Sequence, residues 1–153
     1  MPKNRKKFEL YVYGGLVLML SFFLFVSGKK SVELQNQIEL GSQELFRKIA
    51  RSQIKLQIID VRPATTKAYD EAHIPGAIPL PNCDFSQVDP QVKKHIFSYA
   101  PTIIVSERGD GEEFRKCLPF FKSVQNLAGG FNRWQDSRFP EEPGEYTPPN
   151  ANA

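Results

Sequence analysis

An uninterrupted hydrophobic run dominates the beginning of the chain: no charged residue lies between Leu10 and Val26. With its uncharged flanks, the run approaches the roughly 20 residues that a helix needs to cross a bilayer. It is longer than the apolar core of a signal peptide, which is typically about 7–15 residues. We therefore expect an uncleaved, single-pass transmembrane helix at residues 10–27. A signal peptide cleaved just before Lys29, after the small residues of VSG, is the alternative.

Beyond a polar linker, residues 28–36, strand-like and helix-like patterns alternate. Apolar runs predict strands, and apolar positions spaced three and four residues apart predict helices. The predicted strands are residues 55–60, 76–80, 102–106 and 123–127; the predicted helices are one capped by Ser42 and those at residues 65–72, 89–100 and 112–122. This alternation favours a mainly parallel sheet with helices on both faces. The pattern therefore predicts one α/β domain at residues 37–140.

Single residues refine this prediction. Val92, Ile96 and Tyr99 are expected to face inward from the helix at 89–100, because they share one side of it. Pro119 is expected to interrupt or kink the following helix, because proline lacks the backbone N–H that a helix interior uses. The Pro-rich end, residues 141–153, has almost nothing apolar to bury and is predicted to be disordered.

The positive charge of the chain is concentrated before the hydrophobic run. The formal net charge is +3, and residues 1–9 account for it with Lys3, Arg5, Lys6 and Lys7 against Glu9. Because the remainder is formally neutral, it has no basic stripe of the kind that neutralises phosphates, and we exclude a nucleic-acid partner. The flank richer in Lys and Arg tends to stay in the cytoplasm. We therefore expect a basic cytoplasmic tail at residues 1–9 and a domain on the other side, at the periplasmic face of the inner membrane if the source is bacterial.

The chain has two cysteines, Cys83 and Cys117. A non-cytoplasmic compartment permits disulfides, but two cysteines are not a disulfide framework, and nothing in the sequence shows that they meet. A bridge between them therefore stays an open alternative. Cys117 lies on the apolar stripe of its helix and is expected to be a core thiol, whereas Cys83 is expected nearer the surface.

A glycine-punctuated loop follows the predicted strand at 102–106. Ser106 lies at the mouth of this loop, where a nucleophile would be expected, but a serine hydroxyl needs a general base. His73 belongs to a turn and His95 to a polar helix face, so neither is expected to supply one. No metal ion or cofactor is predicted.

Two segments resemble the signatures of the rhodanese-like domain family: IIDVRPATTKAYDEAHIPGAIPLP, residues 58–81, and VQNLAGGFNRW, residues 124–134. The resemblance implies an α/β fold with a central, mainly parallel five-stranded sheet. In active members the loop begins with a cysteine that carries sulfane sulfur as a persulfide, has glycine at its fourth position and often has arginine near its end. The resemblance puts Ser106 at the cysteine position, Gly109 at the glycine and Gly111 where the arginine is often found.

The substitution implied at Ser106 argues against catalysis, because sulfur transfer requires a thiolate. The carboxylates around the loop also oppose an anionic sulfur donor; they are Glu107, Asp110, Glu112 and Glu113, with Arg108, Arg115 and Lys116 in partial compensation. We therefore expect a domain without sulfurtransferase activity that uses its loop to bind or scaffold a protein partner. The candidate site residues are Ser106, Glu107, Arg108, Gly109, Asp110 and Gly111.

A working enzyme is the alternative. It would be a sulfurtransferase that uses Cys83 or Cys117, or a hydrolase that uses the loop in another way. The remaining motif positions have structural interpretations: Asp60 and Arg62 as a hydrogen-bonded or ion pair at a strand end, Gly129 and Gly130 as a turn, and Trp134 as a packing residue.

Overall fold

The computed structural model describes residues 11, 13–24, 38–51 and 56–148 of the chain. It divides into two units, Met1–Gln37 and Ile38–Ala153. In the first unit, residues 11 and 13–24 are helical.

The predicted transmembrane segment, residues 10–27, is only partly described. Across the portion of the chain that the structure describes, no helix has both the length and the apolar character needed to cross a membrane. The remaining positions of the segment, the basic tail at 1–9 and the linker at 28–36 lie outside the described residues.

The second unit is built on a five-stranded sheet with the order β1-β5-β4-β2-β3. Its strands are β1 (Glu39–Leu40), β2 (Gln57–Asp60), β3 (Ile78–Pro79), β4 (Pro101–Val105) and β5 (Ser123–Leu127). Every pair of neighbouring strands is parallel, which confirms the predicted α/β sheet. All strands therefore begin at one edge, the N-terminal edge of the sheet, and end at the other, the C-terminal edge.

Helices return the chain from the C-terminal edge to the N-terminal edge. They are α1 (Ser42–Arg51), α2 (Ala68–Glu71), α3 (Pro90–Lys93), α4 (Gly111–Cys117) and α5 (Gly130–Asp136), with 3₁₀ turns at Ala64–Thr66, Pro81–Cys83 and Phe85–Gln87. Ser42 is the first helical residue rather than the cap, and the carbonyl of Gly41 accepts from the N–H groups of Glu44 and Leu45.

Alternating side chains of the central strands enter two separate hydrophobic cores. Ile58 and Ile103 point to one face and Ile59 and Ile104 to the other, as the two-residue repeat of a strand requires. The first core includes Leu45, Phe131 and Trp134 from α1 and α5. The second includes Phe114 and Cys117 from α4. Helices therefore cover both faces, as the sequence predicted.

The helix predicted at 89–100 is shorter than its apolar pattern indicates. α3 ends at Lys93, and turns carry the chain to β4. Val92 and Ile96 are partly buried against the second core, but Tyr99 is 74% exposed, so its predicted inward position is wrong. Pro119 has the predicted effect, since α4 ends at Cys117, two residues before the proline.

A disulfide joins Cys83, at the end of a 3₁₀ turn, to Cys117, at the end of α4. Cys117 is buried as predicted, but it is bonded rather than a free thiol. The surface position predicted for Cys83 is wrong, because its side chain is also buried. The cause is a tight turn: Asn82 and Cys83 both have left-handed backbone angles, and the Asn82 N–H donates to the Val61 carbonyl, which brings the turn back onto the sheet.

The Pro-rich end is ordered in part, which corrects the prediction of disorder for residues 141–148. Glu142 forms two backbone hydrogen bonds of 2.9 Å with His73, and the Gly144 N–H donates to the Asp70 carbonyl at 2.7 Å. Tyr146 packs against both hydrophobic cores. The order of this segment depends on hydrogen bonds to backbone groups that are distant in the sequence. Its composition therefore does not indicate that it is ordered. Residues 149–153 lie outside the described residues.

Replacing both cysteines by alanine should destabilise the domain, because the disulfide restricts the unfolded chain across the 34 residues that separate Cys83 from Cys117. We expect a loss of about 3–4 kcal/mol in the free energy of unfolding. Urea unfolding of the full chain in detergent, followed by near-ultraviolet circular dichroism, measures this difference.

The matched control is the unsubstituted protein with and without dithiothreitol, which should reproduce most of the loss. Thiol labelling after denaturation without reductant should find no reactive cysteine. Two labelled thiols per chain would contradict the bridge.

Candidate functional site

The loop at residues 106–111 begins at the C-terminal edge of the sheet, immediately after the central strand β4. Ser106 follows Val105 directly and is fully buried. In open α/β sheets, ligands bind beyond this edge of the strands. The structure therefore places Ser106 where the sequence located the candidate nucleophile.

Two backbone N–H groups of the loop point at the Ser106 side chain. Its Oγ accepts from the Gly109 N–H at 2.9 Å and from the Asp110 N–H at 3.1 Å. Converging N–H groups of this kind stabilise negative charge on the atom that they surround. In this chain they surround a neutral hydroxyl oxygen, which cannot form a persulfide.

The loop keeps this shape because it packs directly on the turn between β5 and α5. Gly109 has φ 76°, and a Cβ there would lie 2.6 Å from the Gly129 nitrogen and 2.7 Å from the Leu127 oxygen. Gly130 has φ 59°, and a Cβ on it would overlap the Gly109 nitrogen and the Ser106 oxygen. Only glycine fits at both positions, because each combines a left-handed angle with a neighbouring backbone.

Hydrogen bonds hold the two segments together. The Ser106 carbonyl accepts from the Phe131 N–H at 2.8 Å, and the Glu107 carbonyl accepts from the Asn132 N–H at 3.0 Å. The Asn126 side chain donates to the Gly109 carbonyl at 2.8 Å. The loop backbone is therefore fixed by the next strand and helix. The sequence placed the glycines in turns but did not show that the two turns meet.

The outer surface of the loop is exposed and predominantly acidic. Glu107, Arg108, Asp110 and Gly111 are exposed, whereas Gly109 is partly buried. A shallow depression of about 400 Å³ adjoins them, lined by Asp110, Gly111, Glu112, Glu113 and Lys116. Its lysine is already paired, with 3.5 Å between Lys116 Nζ and Glu112 Oε1. Carboxylates outnumber cations there, so the surface favours a cationic partner over an anion.

The other candidate nucleophiles and bases are occupied elsewhere. Both cysteines of the chain are consumed by the disulfide. The His73 ring stacks on Tyr69 with 3.9 Å between centroids, and its Nδ1 lies 2.9 Å from the Tyr69 carbonyl oxygen. His95 has its ring contact with Tyr146. Among the residues that the structure describes, no group of His, Cys, Asp and Glu could hold a metal ion.

The predicted Asp60–Arg62 pair is present and buried. Arg62 Nη2 and Asp60 Oδ2 are 2.8 Å apart, and the Arg62 Nε–H also bonds to the carboxylate. The same guanidinium donates to the Ala72 carbonyl at 2.6 Å and lies 3.9 Å from the centre of the Phe131 ring. Arg62 therefore links β2 to α5 and is not available to bind an anionic substrate.

Sequence reasoning missed a second concavity beside this pair. It is a cleft of about 550 Å³ between the segments that follow β2 and β3 and the C-terminal segment, and Arg62, Tyr69, Val88 and Tyr146 are among its lining residues. Burial raises the pKa of both tyrosines, and the charge of Asp60 raises that of Tyr69 further. No local signal marks the cleft, because the folded C-terminal segment forms one of its walls.

Comparison with known proteins identifies the fold independently. A family model, the rhodanese-like domain, matches residues 42–137. Among solved structures, the BH2092 protein from Bacillus halodurans is 20% identical, with a TM-score of 0.62 over 76% of this chain and 85% of that chain. The rhodanese-like domain of an Anabaena sp protein is 20% identical, with a TM-score of 0.57 over 75% of this chain and 87% of that one.

A thiosulfate sulfurtransferase from Pseudomonas aeruginosa is also similar, at 17% identity and a TM-score of 0.54, over 71% of this chain but 20% of that chain. No curated protein matches the chain. The structural similarities show the fold, and the family model covers more than half of the sequence. The chain therefore belongs to the rhodanese-like domain family.

Proposed function

We propose that this protein is a membrane-anchored rhodanese-like domain without sulfurtransferase activity, which presents its loop at residues 106–111 to a protein partner. One observation carries the proposal: the N–H groups of Gly109 and Asp110 converge on the hydroxyl of Ser106. This is the position where the family resemblance expects the sulfur-carrying cysteine.

The chemistry of sulfur transfer supports this interpretation. A thiolate attacks the sulfane sulfur of thiosulfate, forms an S–S bond and releases sulfite; an acceptor then removes the sulfur and regenerates the thiolate. Serine has no equivalent step, because its oxygen does not form the persulfide. As a nucleophile towards carbon, Ser106 would need a general base, and the ring contacts described for His73 and His95 are with tyrosines.

The disulfide weakens the alternative that another cysteine performs the transfer. A sulfurtransferase using Cys83 or Cys117 would first have to reduce a buried bridge. The N–H groups of Gly109 and Asp110 also bond to the Ser106 oxygen and not to either sulfur atom. We therefore retain the binding function as the proposal.

The geometry of the loop suits recognition. Glu107, Arg108 and Asp110 are exposed on a backbone that Gly109 and Gly130 hold in one conformation. A preorganised loop loses little conformational freedom on binding, so more of the contact energy appears as affinity. The excess of carboxylates indicates a partner surface rich in Lys or Arg.

The proposed anchor is supported by the uncharged run at 10–27 and by the cations of residues 1–9. The disulfide adds an independent argument, because disulfides persist in oxidising compartments and are rare in the cytosol. Both arguments favour a domain on the non-cytoplasmic side of the membrane.

The Ser106→Cys variant should gain a reactive thiol without efficient sulfur transfer. The N–H groups of Gly109 and Asp110 should lower the pKa of the new thiol below its ordinary value of about 8.5. The pH dependence of its labelling by iodoacetamide measures this pKa, and the label is specific because the two native cysteines are bridged.

Turnover of thiosulfate with cyanide is measured on the same proteins. The unsubstituted protein should show none, and Ser106→Cys should show little, because the surrounding carboxylates oppose the anionic donor. Adding Asp110→Asn and Gly111→Arg should raise turnover by about tenfold or more while changing labelling less. Turnover by the unsubstituted protein would overturn the proposal, and full turnover by Ser106→Cys alone would show that the charges do not matter.

A photo-crosslinking residue at position 108 should capture a protein partner in native membranes, whereas the same residue at Asp136, exposed at the end of α5, should not. Charge reversal by Glu107→Lys and Asp110→Lys should abolish the adduct, because it removes the attraction for a cationic surface. Adducts of equal yield from both positions would argue against recognition through the loop.

We expect the domain to be exported across the membrane. An alkaline phosphatase reporter fused after residue 153 should therefore be active, and a green fluorescent protein fused there should not fluoresce. Neutralising the four cations Lys3, Arg5, Lys6 and Lys7 should reduce this bias. Recovery of the domain in the soluble fraction with a new N-terminus near Lys29 would replace the anchor by a cleaved signal peptide.

A further inference from the structure

Four large hydrophobic side chains are exposed at the N-terminal edge of the sheet. Phe97 is 59% exposed, Tyr99 74%, Leu118 44% and Phe120 43%. They belong to the two loops that precede β4 and β5, which are neighbours in the sheet. We call these four residues the aromatic edge. It lies at the opposite end of the strands from Ser106.

The two loops of the aromatic edge contact each other. The Lys122 N–H donates to the Ser98 carbonyl at 2.9 Å, and Lys122 Nζ lies 4.4 Å from the centre of the Tyr99 ring. On the other side, the Phe120 ring contacts that of Phe85, with 5.1 Å between centroids. The two loops therefore lie side by side and present their exposed side chains at the same edge of the sheet.

Cations accompany this surface. Arg51 ends α1 and Lys93 ends α3, so both cations lie where these helices reach the N-terminal edge. Such residues complement the helix dipole, and Lys94, directly after α3, and Lys122, directly before β5, are two further cations in these segments. Lys94 and Lys122 have no carboxylate partner among the ion pairs of the described residues.

The chain also enters the domain from this side. β1 runs parallel to β5, so it begins on the side where β5 begins, and Ile38, just before β1, is 40% exposed. The linker between the proposed anchor and Ile38, residues 28–37, can span at most about 35 Å even when fully extended. An anchor at 10–27 would therefore keep the domain within reach of a bilayer.

We propose that the aromatic edge binds the surface of a bilayer that contains anionic lipids; this inference rests on the proposed membrane anchor. Tyrosine and phenylalanine rings occupy the boundary between headgroups and acyl chains, while lysines reach the phosphates. Large hydrophobic side chains exposed together at one edge are typical of an interaction site, and Lys94 and Lys122, which form no ion pair with a carboxylate of the described residues, fit anionic headgroups. With this edge on the membrane, the loop at 106–111 faces away from it and is accessible to a partner.

The test uses the full chain reconstituted in vesicles of phosphatidylcholine with or without phosphatidylglycerol, each prepared with and without brominated acyl chains. Tyr99→Trp reports on the aromatic edge, and Arg108→Trp reports on the opposite edge. The native Trp134 is buried and gives the same background in both variants. We expect bromolipid quenching of the added emission to be about threefold or more stronger at position 99 than at 108 when phosphatidylglycerol is present.

Lipid charge supplies the second comparison. Quenching at position 99 should fall when phosphatidylglycerol is omitted, in high salt, and when Lys94→Glu and Lys122→Glu are added. The matched pair Lys94→Arg and Lys122→Arg keeps the charges and should keep the quenching. Equal quenching at positions 99 and 108, or quenching at position 99 that does not change when phosphatidylglycerol is omitted, overturns the inference.

Flotation of the vesicles distinguishes this inference from the proposed anchor. A chain that does not float with vesicles overturns both proposals. A chain that floats without quenching at position 99 overturns only the orientation of the domain; a cysteine-independent crosslinked dimer through the aromatic edge would then identify a second copy as its partner.

Discussion

The contact between two glycine turns is the constraint on which the candidate site depends. Gly109 in the loop after β4 and Gly130 in the turn after β5 approach so closely that a Cβ on either would overlap the backbone of the other segment. Hydrogen bonds from Phe131 and Asn132 to the loop carbonyls close the same contact. The shape of the loop therefore depends on the sheet and on α5 as well as on the hydrogen bonds that Ser106 accepts within the loop.

This constraint separates the shape of the site from its chemistry. The N–H groups of Gly109 and Asp110 converge on position 106 because the backbone is held in place, and they do so around a hydroxyl. The negative charge of a thiolate would be stabilised there. A serine hydroxyl without a general base is not activated for attack on a substrate. Serine at position 106 thus leaves the shape of the loop intact but does not supply the thiolate that sulfur transfer requires.

The parallel sheet also gives the two ends of the domain different characters. Strand ends and loop carboxylates meet at one edge, and the aromatic edge lies at the other. The Cys83–Cys117 bridge fixes α4, which connects these two edges, to the turn after β3. The loop at 106–111 and the aromatic edge consequently lie at opposite ends of the same strands.

The sequence by itself determined the parts of this protein that depend on neighbours in the chain. Apolar runs predicted β2, β4 and β5, and the end of β4 located Ser106. Pro119 predicted where α4 ends, and the motif around Asp60 and Arg62 indicated that these two residues pair. Tertiary structure alone decided β1, which is two residues long, the meeting of Cys83 with Cys117, the exposure of Tyr99 and the order of residues 141–148. Each of these depends on partners far away in the sequence, and local periodicity and composition carry no information about such contacts.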